Sequence, residues 1–364
     1  MKRLIPYILT FTLAVACVYP LDIQTEDYSG DTLVIDGSVI IGGTTNVTIS
    51  HLVPLDQVSA YAGGYVHDAV VTVESDKGDV YKDDSYPYSI NTAGAPADRS
   101  YRLVVEHKGK TYSSAWIKPL PAPKISDIQF SADDNNVSVS LSAASDTPGY
   151  AAIQYDEIWK FHVDYVRIFD YSPRSGITTI QDPDLTYYIC WRKFVGVNEV
   201  LLDYSSTGGN VTEYPFISFP RTSERFQYEY NILVKIRNLY DDEYHYFKHL
   251  EDANNSSSLF SPDPGNAETN IVCESDPSEK VFGYVSVSCQ DYYIATIDDR
   301  YYIAAPVSKL LHVDKLDYFK YYDLGFLPVN MNSDGTIGWG SSRCYNCVSD
   351  GGTLKKPSFD LPKN

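Results

Sequence analysis

Positive charge is scarce in this sequence. Its 364 residues include 29 lysines and arginines against 48 aspartates and glutamates, which gives a formal net charge of −19. This balance argues against nucleic-acid binding, because phosphates require Lys and Arg, and against attachment to an anionic membrane by charge. Methionine is also rare, with two residues. Tyrosine is abundant, at 32 residues, and its preference for strands favours a β-rich protein.

Long hydrophobic runs are lacking as well. The apolar stretch 4–16 has thirteen residues, and as a helix it would extend about 20 Å, short of the roughly 30 Å of hydrocarbon in a bilayer. No later segment is apolar enough to span a membrane. The stretch follows Lys2 and Arg3, and the chain turns acidic from Asp22 onward. This arrangement is typical of a secretory signal peptide.

The boundary after this stretch predicts a lipid anchor. LAVAC, residues 13–17, resembles the bacterial lipobox, in which the signal is cut before the cysteine and that cysteine is acylated. We therefore expect residues 1–16 to form a signal peptide, Cys17 to carry the lipid, and residues 17–32 to form a tether. The alternative is an ordinary signal peptide with Cys17 incidental.

Short β-rich runs follow the tether. They are rich in β-branched and aromatic residues, and turn dipeptides such as Asp-Gly and Gly-Gly separate them. The clearest runs are LVIDGSVI (33–40), NVTIS (46–50), AVVTVES (69–75), YRLVVEH (101–107) and TYSSAWI (111–117). This density predicts a β-sandwich over 33–118. Three prolines then predict a linker at 119–124, because proline is excluded from central strands.

The remainder, 125–364, reads as a larger β domain with a Cys-containing tail. ISDIQFS and VSVSLSA flank a polar turn and predict a hairpin, and longer strand candidates follow, among them VFGYVSVSCQDYYIATI (281–297). One helix is predicted near 241–252, where three acidic residues suit a helix N-terminus. One face of this helix carries Tyr240, Tyr244, Phe247 and Leu250.

Motifs for catalysis, cofactors and metals are absent from the sequence. It holds no G-x-S-x-G elbow, phosphate-binding loop, G-x-G-x-x-G or H-E-x-x-H, so we expect a non-enzymatic protein without a cofactor. His245 and His249 lie four apart on the predicted helix and could hold zinc, but no third ligand is near in sequence. The acidic turn at 131–136 lacks the spacing of a calcium loop and is interpreted as a hairpin turn.

Tyrosine and tryptophan on the strands of the second domain suggest a binding surface. Exposed rings could stack on sugars or contact peptides, whereas buried rings would only fill the core. The rings in question are Tyr187, Tyr188, Trp191, Tyr228, Tyr230, Tyr292 and Tyr293. Asp31-Thr32-Leu33 resembles a short O-glycosylation signal of periplasmic and surface proteins, although Thr32 also lies at a strand start.

Several segments together resemble one family, the Bacteroidota lipoproteins called domain of unknown function 4249. The matching pieces are Cys17 with a proline soon after it, LVIDGSV, YRLVVEHKGKTYSSAWIKPLPAPKISDI, Cys190-Trp191, YNILVKIRNLYDDEYHYFKHLED, IVCESDPSEKVFGYVSVS and CYNCVSDGGTLKKPSFD. The resemblance implies a lipid-anchored outer-membrane protein at the cell surface, with an immunoglobulin-like N-terminal domain. It also implies two partners, a TonB-dependent importer and its substrate-binding lipoprotein.

Five cysteines remain once Cys17 is set aside, which leaves one unpaired in an oxidising compartment. Strand alternation puts Cys289 on a face of valines, so we expect it to be a buried free thiol. The other four match the family's cysteine positions and are expected to form two disulfides that pin the tail to the second domain. These are Cys190, Cys273, Cys344 and Cys347. A four-thiolate zinc site is the alternative.

These expectations combine into an all-β, non-enzymatic accessory of TonB-dependent nutrient uptake that binds a glycan or a peptide. An immunoglobulin-like sandwich would precede the larger β-sandwich-like domain with its short helical insertion. Two other functions stay open at this stage. One is an envelope hydrolase whose site is not visible as a motif, and the other is an adhesion or structural module of the cell surface.

Overall fold

A computed structural model describes residues 32–52, 64–255, 269–307 and 309–361. The predicted signal peptide and Cys17, the predicted site of lipid attachment, lie outside these ranges. Within them the protein is mostly β-strand, with two short α-helices, which confirms the all-β prediction. Thr32 is only 7% exposed. Its burial disfavours glycan attachment at this residue.

The first sandwich packs two sheets around an apolar core. One sheet has the order β18-β1-β2-β5, and the other has the order β17-β7-β6-β3-β4, where β17 is Ile271–Cys273 and β18 is Val285–Ile297. Alternation positions the core residues, since Val47 and Ile49 of β2 point inward while Asn46 and Thr48 are exposed. The first seven strands are β1 (Leu33–Ile41), β2 (Thr44–His51), β3 (Val70–Ser75), β4 (Val80–Asp83), β5 (Tyr88–Asn91), β6 (Tyr101–His107) and β7 (Lys110–Ser114).

The second sandwich packs the sheet β15-β9-β8 against β13-β10-β16-β18, with β14 also paired to β10. The polar turn between β8 and β9 is a hairpin turn as predicted, since Asp133 Oδ1 accepts bonds from the N–H groups of Asn135 and Asn136, both at 2.7 Å. The strands are β8 (Lys124–Ala132), β9 (Asn136–Ala144), β10 (Tyr150–His162), β11 (Phe169–Ser172), β12 (Gly176–Thr179), β13 (Ile189–Val195), β14 (Val200–Asp203), β15 (Asn210–Pro220) and β16 (Tyr230–Leu239).

Two late strands correct the domain boundaries, because the chain returns to the first sandwich. Strand β17 (Ile271–Cys273) pairs with β7. Strand β18 (Val285–Ile297) pairs in parallel with β1 through its first half and antiparallel with β16 through its second half. The prediction that 125–364 forms one contiguous domain is therefore wrong. Instead, β18 is a common strand of both sandwiches and joins their sheets into one of eight strands.

The helical insertion follows β16 and is confirmed by helix α1 (Asp241–Asn255). Glu243 Oε2 accepts a bond from the Tyr240 N–H at 3.4 Å, which satisfies a donor at the start of the helix. The same carboxylate pairs with Arg237 of β16, whose guanidinium also donates to Glu199 at 3.0 and 2.8 Å. Arg237 is 1% exposed and Glu243 is 2% exposed. This ion triad, in which Arg237 and Glu243 are buried and Glu199 is partly exposed, ties the helix to the sheet.

The C-terminal region adds a small sheet and a strap. Strands β19 (Leu311–His312), β20 (Leu327–Met331) and β21 (Ile337–Gly340) form the sheet, and helix α2 (Tyr318–Asp323) precedes β20. The strap, residues 353–361, starts by exchanging two backbone hydrogen bonds of 2.8 Å between Thr353 and Trp191. The strap then continues along the second sandwich, where Lys356 pairs with Glu229 and Asp360 with Lys193 of β13, each at 2.7 Å.

Close contact between β1 and the start of β18 depends on Gly283. This residue has a φ of +99°, and a Cβ there would lie 2.1 Å from the carbonyl oxygen of Ile35. We expect Gly283→Ala to destabilise the protein by about 2 kcal/mol or more, because the left-handed conformation costs about 1–3 kcal/mol and the clash adds to it. Gly351→Ala is a matched control, since Gly351 has a φ of +90° with no atom within 4 Å of its Cβ. Denaturant titrations measure the free energy of unfolding of both variants. An equal loss in the two would contradict the close contact between Gly283 and Ile35.

Candidate ligand-binding cleft

A disulfide holds the tail against the second sandwich. Cys190 of β13 is bonded to Cys347, 157 residues later, and both cysteines are fully buried. Backbone bonds reinforce the attachment, since the Cys347 N–H donates to Tyr187 at 2.8 Å and the Tyr165 N–H donates to Cys344 at 3.1 Å. These links fix the turn at 344–347 beside the segment that leads into β13.

A cleft of about 260 Å³ opens beside this attachment. Its walls come from three parts of the chain: the segment between β10 and β11, the segment between β12 and β13, and the disulfide-held turn. The lining residues are Val166, Arg167, Ile180, Asp184, Tyr187, Tyr188, Tyr345 and Asn346. Aromatic and polar side chains thus converge at one concave site, which is the arrangement expected of a small-ligand site.

Three tyrosines of the cleft differ in how much of each ring is accessible. Tyr187 is 41% exposed. Tyr188 is half-buried and stacks on His162, with ring centroids 5.3 Å apart. The guanidinium of Arg167 lies 5.3 Å from the ring centroid of Tyr345. Burial raises the pKa of both Tyr188 and Tyr345, so their hydroxyls are neutral and can both donate and accept hydrogen bonds.

The polar side chains of the cleft offer both hydrogen-bond donors and hydrogen-bond acceptors. Arg167 donates from Nη1 to Asp170 at 2.9 Å, and its other nitrogens have no acceptor among the described residues. Asn346 Oδ1 accepts bonds from the N–H groups of Val348 and Ser349, which leaves its amide nitrogen available. The hydroxyl and N–H of Thr186 hold the pKa of Asp184 below its usual value. Asp184 is therefore a charged acceptor at neutral pH.

The structure separates the seven predicted rings into different environments. Tyr187 and Tyr188 line the cleft. Trp191 and Tyr228 lie near the Lys160 ammonium, which is 5.9 Å and 5.6 Å from their ring centroids. The remaining three are Tyr230, which is fully buried, Tyr293, which packs on the core, and Tyr292, which is 40% exposed.

Sequence reasoning missed six of the eight lining residues, namely Val166, Arg167, Ile180, Asp184, Tyr345 and Asn346. All of them lie outside regular strands, where no periodicity marks a side chain as inward or outward. The spacing of Cys344 and Cys347 was the available signal, because a bridge from either cysteine would bring Tyr345 and Asn346 to another part of the chain.

Two predicted disulfides reduce to one. Cys190 is bonded to Cys347, whereas Cys273 and Cys344 are free, so the prediction of a second bridge is wrong. The reason is the return of β17 to the first sandwich, where Cys273 is buried with its Sγ 4.0 Å from Glu279. The bridge also contradicts the four-thiolate zinc alternative. Cys289 is a free thiol as predicted, but it is only partly buried where it packs against the first core.

The two histidines of α1, His245 and His249, do not form a metal site with the other side chains that the structure describes. His245 is largely exposed and faces Asp241 at 3.8 Å, and no third ligand joins it and His249. In the described part of the chain, no group of three His, Cys, Asp or Glu side chains is arranged to hold a metal ion. None of the helices described here has the length and apolar character needed to cross a bilayer.

Comparisons with known proteins identify one family. A family model described as "Domain of unknown function (DUF4249)" matches residues 18–293. A two-domain fibronectin type III segment of chicken tenascin is 15% identical, with 57% of this chain and 91% of that chain covered and a TM-score of 0.18. The chicken interferon gamma receptor alpha chain is 10% identical, with 57% and 90% covered and a TM-score of 0.15. Both scores are too low to carry a structural argument. No curated protein matches the chain.

Proposed function

Because the chain belongs to the DUF4249 family, we propose that it is a lipid-anchored outer-membrane protein that serves TonB-dependent nutrient uptake by binding. Cys17 would carry the lipid and hold the protein at the cell surface. Its partners would be an importer and the importer's substrate-binding lipoprotein, as the resemblance to these lipoproteins implies. The role is accessory and non-enzymatic.

The cleft beside the disulfide is the observation that carries the binding role. A covalent bond and two backbone hydrogen bonds fix its walls, so few groups need to be ordered when a ligand binds. Such preorganisation lowers the entropic cost of binding. The exposed ring of Tyr187 and the polar groups of Arg167 and Asn346 then supply contacts.

An exposed apolar surface around α2 supports the partner role. Leu316 is 98% exposed, Phe319 60% and Leu324 62%. Large side chains of this kind concentrated in one small region mark protein interaction sites. The importer is the proposed occupant, because it is the partner that the family context supplies.

Lipid attachment is tested by Cys17→Ser. The variant is expected to lack labelled fatty acid and to leave the membrane fraction, because a serine cannot form the thioether that carries the lipid. The measurement is metabolic labelling with a fatty acid, followed by fractionation. The matched control is Cys289→Ser, which keeps the same total of cysteines as the test variant and should stay acylated. A Cys17→Ser protein that stays acylated and membrane-bound would refute the anchor.

The partner is tested by crosslinking in intact cells and gentle detergent extraction. The wild-type protein is expected to be recovered with a TonB-dependent importer, and the double variant Leu316→Asp/Phe319→Asp is expected to lose most of that recovery. Val197→Asp is the control, since Val197 is 81% exposed and lies between β13 and β14. Recovery of the wild-type protein alone, together with hydrolysis of a glycan or a peptide by the pure protein, would favour the envelope hydrolase instead.

A further inference from the structure

We infer that the cleft takes a neutral carbohydrate, with one sugar ring packed on the exposed face of Tyr187. This inference rests on the proposed binding role and names the ligand class for the same site. Three properties of the cleft lead to this ligand class: the hydrogen bonding of its backbone, the chemistry of its side chains, and its size and charge.

Much of the backbone around the cleft is already paired within the protein. The N–H groups of Tyr165, Ile168, Ile180, Tyr188 and Cys347 each donate to a backbone carbonyl at 2.8–3.1 Å. A peptide that binds by strand addition needs a free edge of N–H and C=O groups. Paired N–H groups interrupt the edge here, since Tyr165 and Ile168 flank Val166 and Arg167, so a ligand must be recognised mainly by side chains.

The side chains suit a polyol with an apolar face. A sugar ring presents C–H groups on its faces, which pack on an aromatic ring, and hydroxyls at its rim. Tyr187 supplies the ring, being 41% exposed and outside the stacked pair of Tyr188 and His162. Arg167 and Asn346 supply donors, and Asp184 supplies an acceptor. Hydroxyls, which donate and accept at once, can satisfy both kinds of group.

The size and the charge of the cleft narrow the class of ligand further. The cleft volume of about 260 Å³ lies just below the range of roughly 300–1,000 Å³ for drug-sized ligands, so it accommodates one or two ring-sized units of a longer chain. Arg167 and Asp184 contribute opposite charges to the lining. The protein as a whole has a formal net charge of −19, which repels polyanions. A neutral glycan therefore fits better than a sulfated or uronic one.

The test is affinity electrophoresis of the folded mature protein in gels that contain a neutral polysaccharide. Starch, xyloglucan, galactomannan and yeast mannan are the probes, and polygalacturonate is the anionic comparison. We expect at least one neutral glycan to retard the protein. Tyr187→Ala should weaken that binding about tenfold, because loss of a ring contact of about 1.4 kcal/mol changes affinity by that factor. Tyr187→Phe should bind like the wild type.

Tyr292→Ala is the matched control, since Tyr292 is 40% exposed on β18, away from the cleft. Thermal unfolding of each variant checks its folding. Retardation that survives Tyr187→Ala would overturn the cleft as the glycan site. Binding of a peptide digest that Tyr187→Ala abolishes, without glycan binding, would overturn the ligand class and leave the binding role intact. Recovery with the importer but no binding of any glycan or peptide would overturn the inference while the uptake role stands.

Discussion

Arg237→Met is expected to be the most destabilising single substitution at the centre of the protein, with a loss of about 3–5 kcal/mol in the free energy of unfolding. The arginine is 1% exposed and pairs with Glu199 and Glu243, of which Glu243 is itself 2% exposed. Methionine has a similar length and keeps the packing, but it leaves the Glu243 carboxylate buried without its counter-ion. An uncompensated buried charge is the expensive outcome of breaking such a pair.

The control for this substitution is Arg102→Met. Arg102 also pairs with two glutamates, Glu74 at 2.9 Å and Glu274 at 3.0 Å, but their side chains are 32% and 43% exposed. Water screens these pairs, so the loss should stay near or below about 1 kcal/mol. Denaturant titration of both variants makes the comparison. Similar losses would show that the burial of the Arg237 triad contributes little.

The pH dependence of the Arg237→Met variant gives a second test. Burial raises the pKa of Glu243 in the folded protein, so the folded state binds more protons than the unfolded state between the ordinary pKa and the raised one. Stability from this group is therefore present at low pH and lost as pH rises through the raised pKa. Without Arg237 the carboxylate loses its main stabilising charge. The deficit of the variant relative to wild type should therefore shrink between pH 7 and pH 5.

Removing the disulfide with Cys190→Ala/Cys347→Ala should cost about 2–5 kcal/mol of stability in the second sandwich, and it should also weaken ligand binding. The bridge closes a segment of 157 residues, and long loops are those for which a crosslink restricts the unfolded chain most. Binding should fall because the turn that carries Tyr345 and Asn346 would be held only by hydrogen bonds. Denaturant titration and affinity electrophoresis measure the two effects.

Cys344→Ala is the control for the disulfide variant, because Cys344 is a free thiol on the same turn. It should keep both stability and binding close to wild type. Mass mapping of the non-reduced protein should find one bridge, with Cys273, Cys289 and Cys344 alkylated. A bridge that includes Cys344, or an unchanged stability in the double alanine variant, would contradict this account.

Local patterns in the sequence predict strands and turns well but leave their partners open. YRLVVEH matches β6 at both ends, because alternating apolar residues and flanking turn residues are local signals. VFGYVSVSCQDYYIATI was also predicted to be a strand, and most of it is β18. Its division between two sandwiches was not predictable, because both halves carry the same alternation and neither indicates which sheet it joins.

The cleft was predictable only in part for a related reason. Tyr187 and Tyr188 stood out as rings beside a strand, whereas Tyr345 and Arg167 come from irregular segments far away in sequence. Their proximity depends on which cysteine pairs with Cys190. Four cysteines allow three connectivities, and sequence alone does not choose among them.

The common strand β18 also has a mechanical consequence. Strand β1 begins directly after residues 17–32, the predicted tether, and it runs antiparallel to β2 and parallel to β18. Tension on a lipid anchor at Cys17 would pull β1 along its own axis, so the hydrogen bonds to both neighbours would be loaded in shear and would have to break together rather than one at a time. Because β18 continues from β1 to β16, the load passes through backbone into the second sandwich without crossing a flexible linker. A protein held at one end by lipid and at the other by an importer would thus resist extension as one rigid unit. Force–extension measurements should therefore give a single unfolding event at high force, without an earlier separation of the two sandwiches at low force.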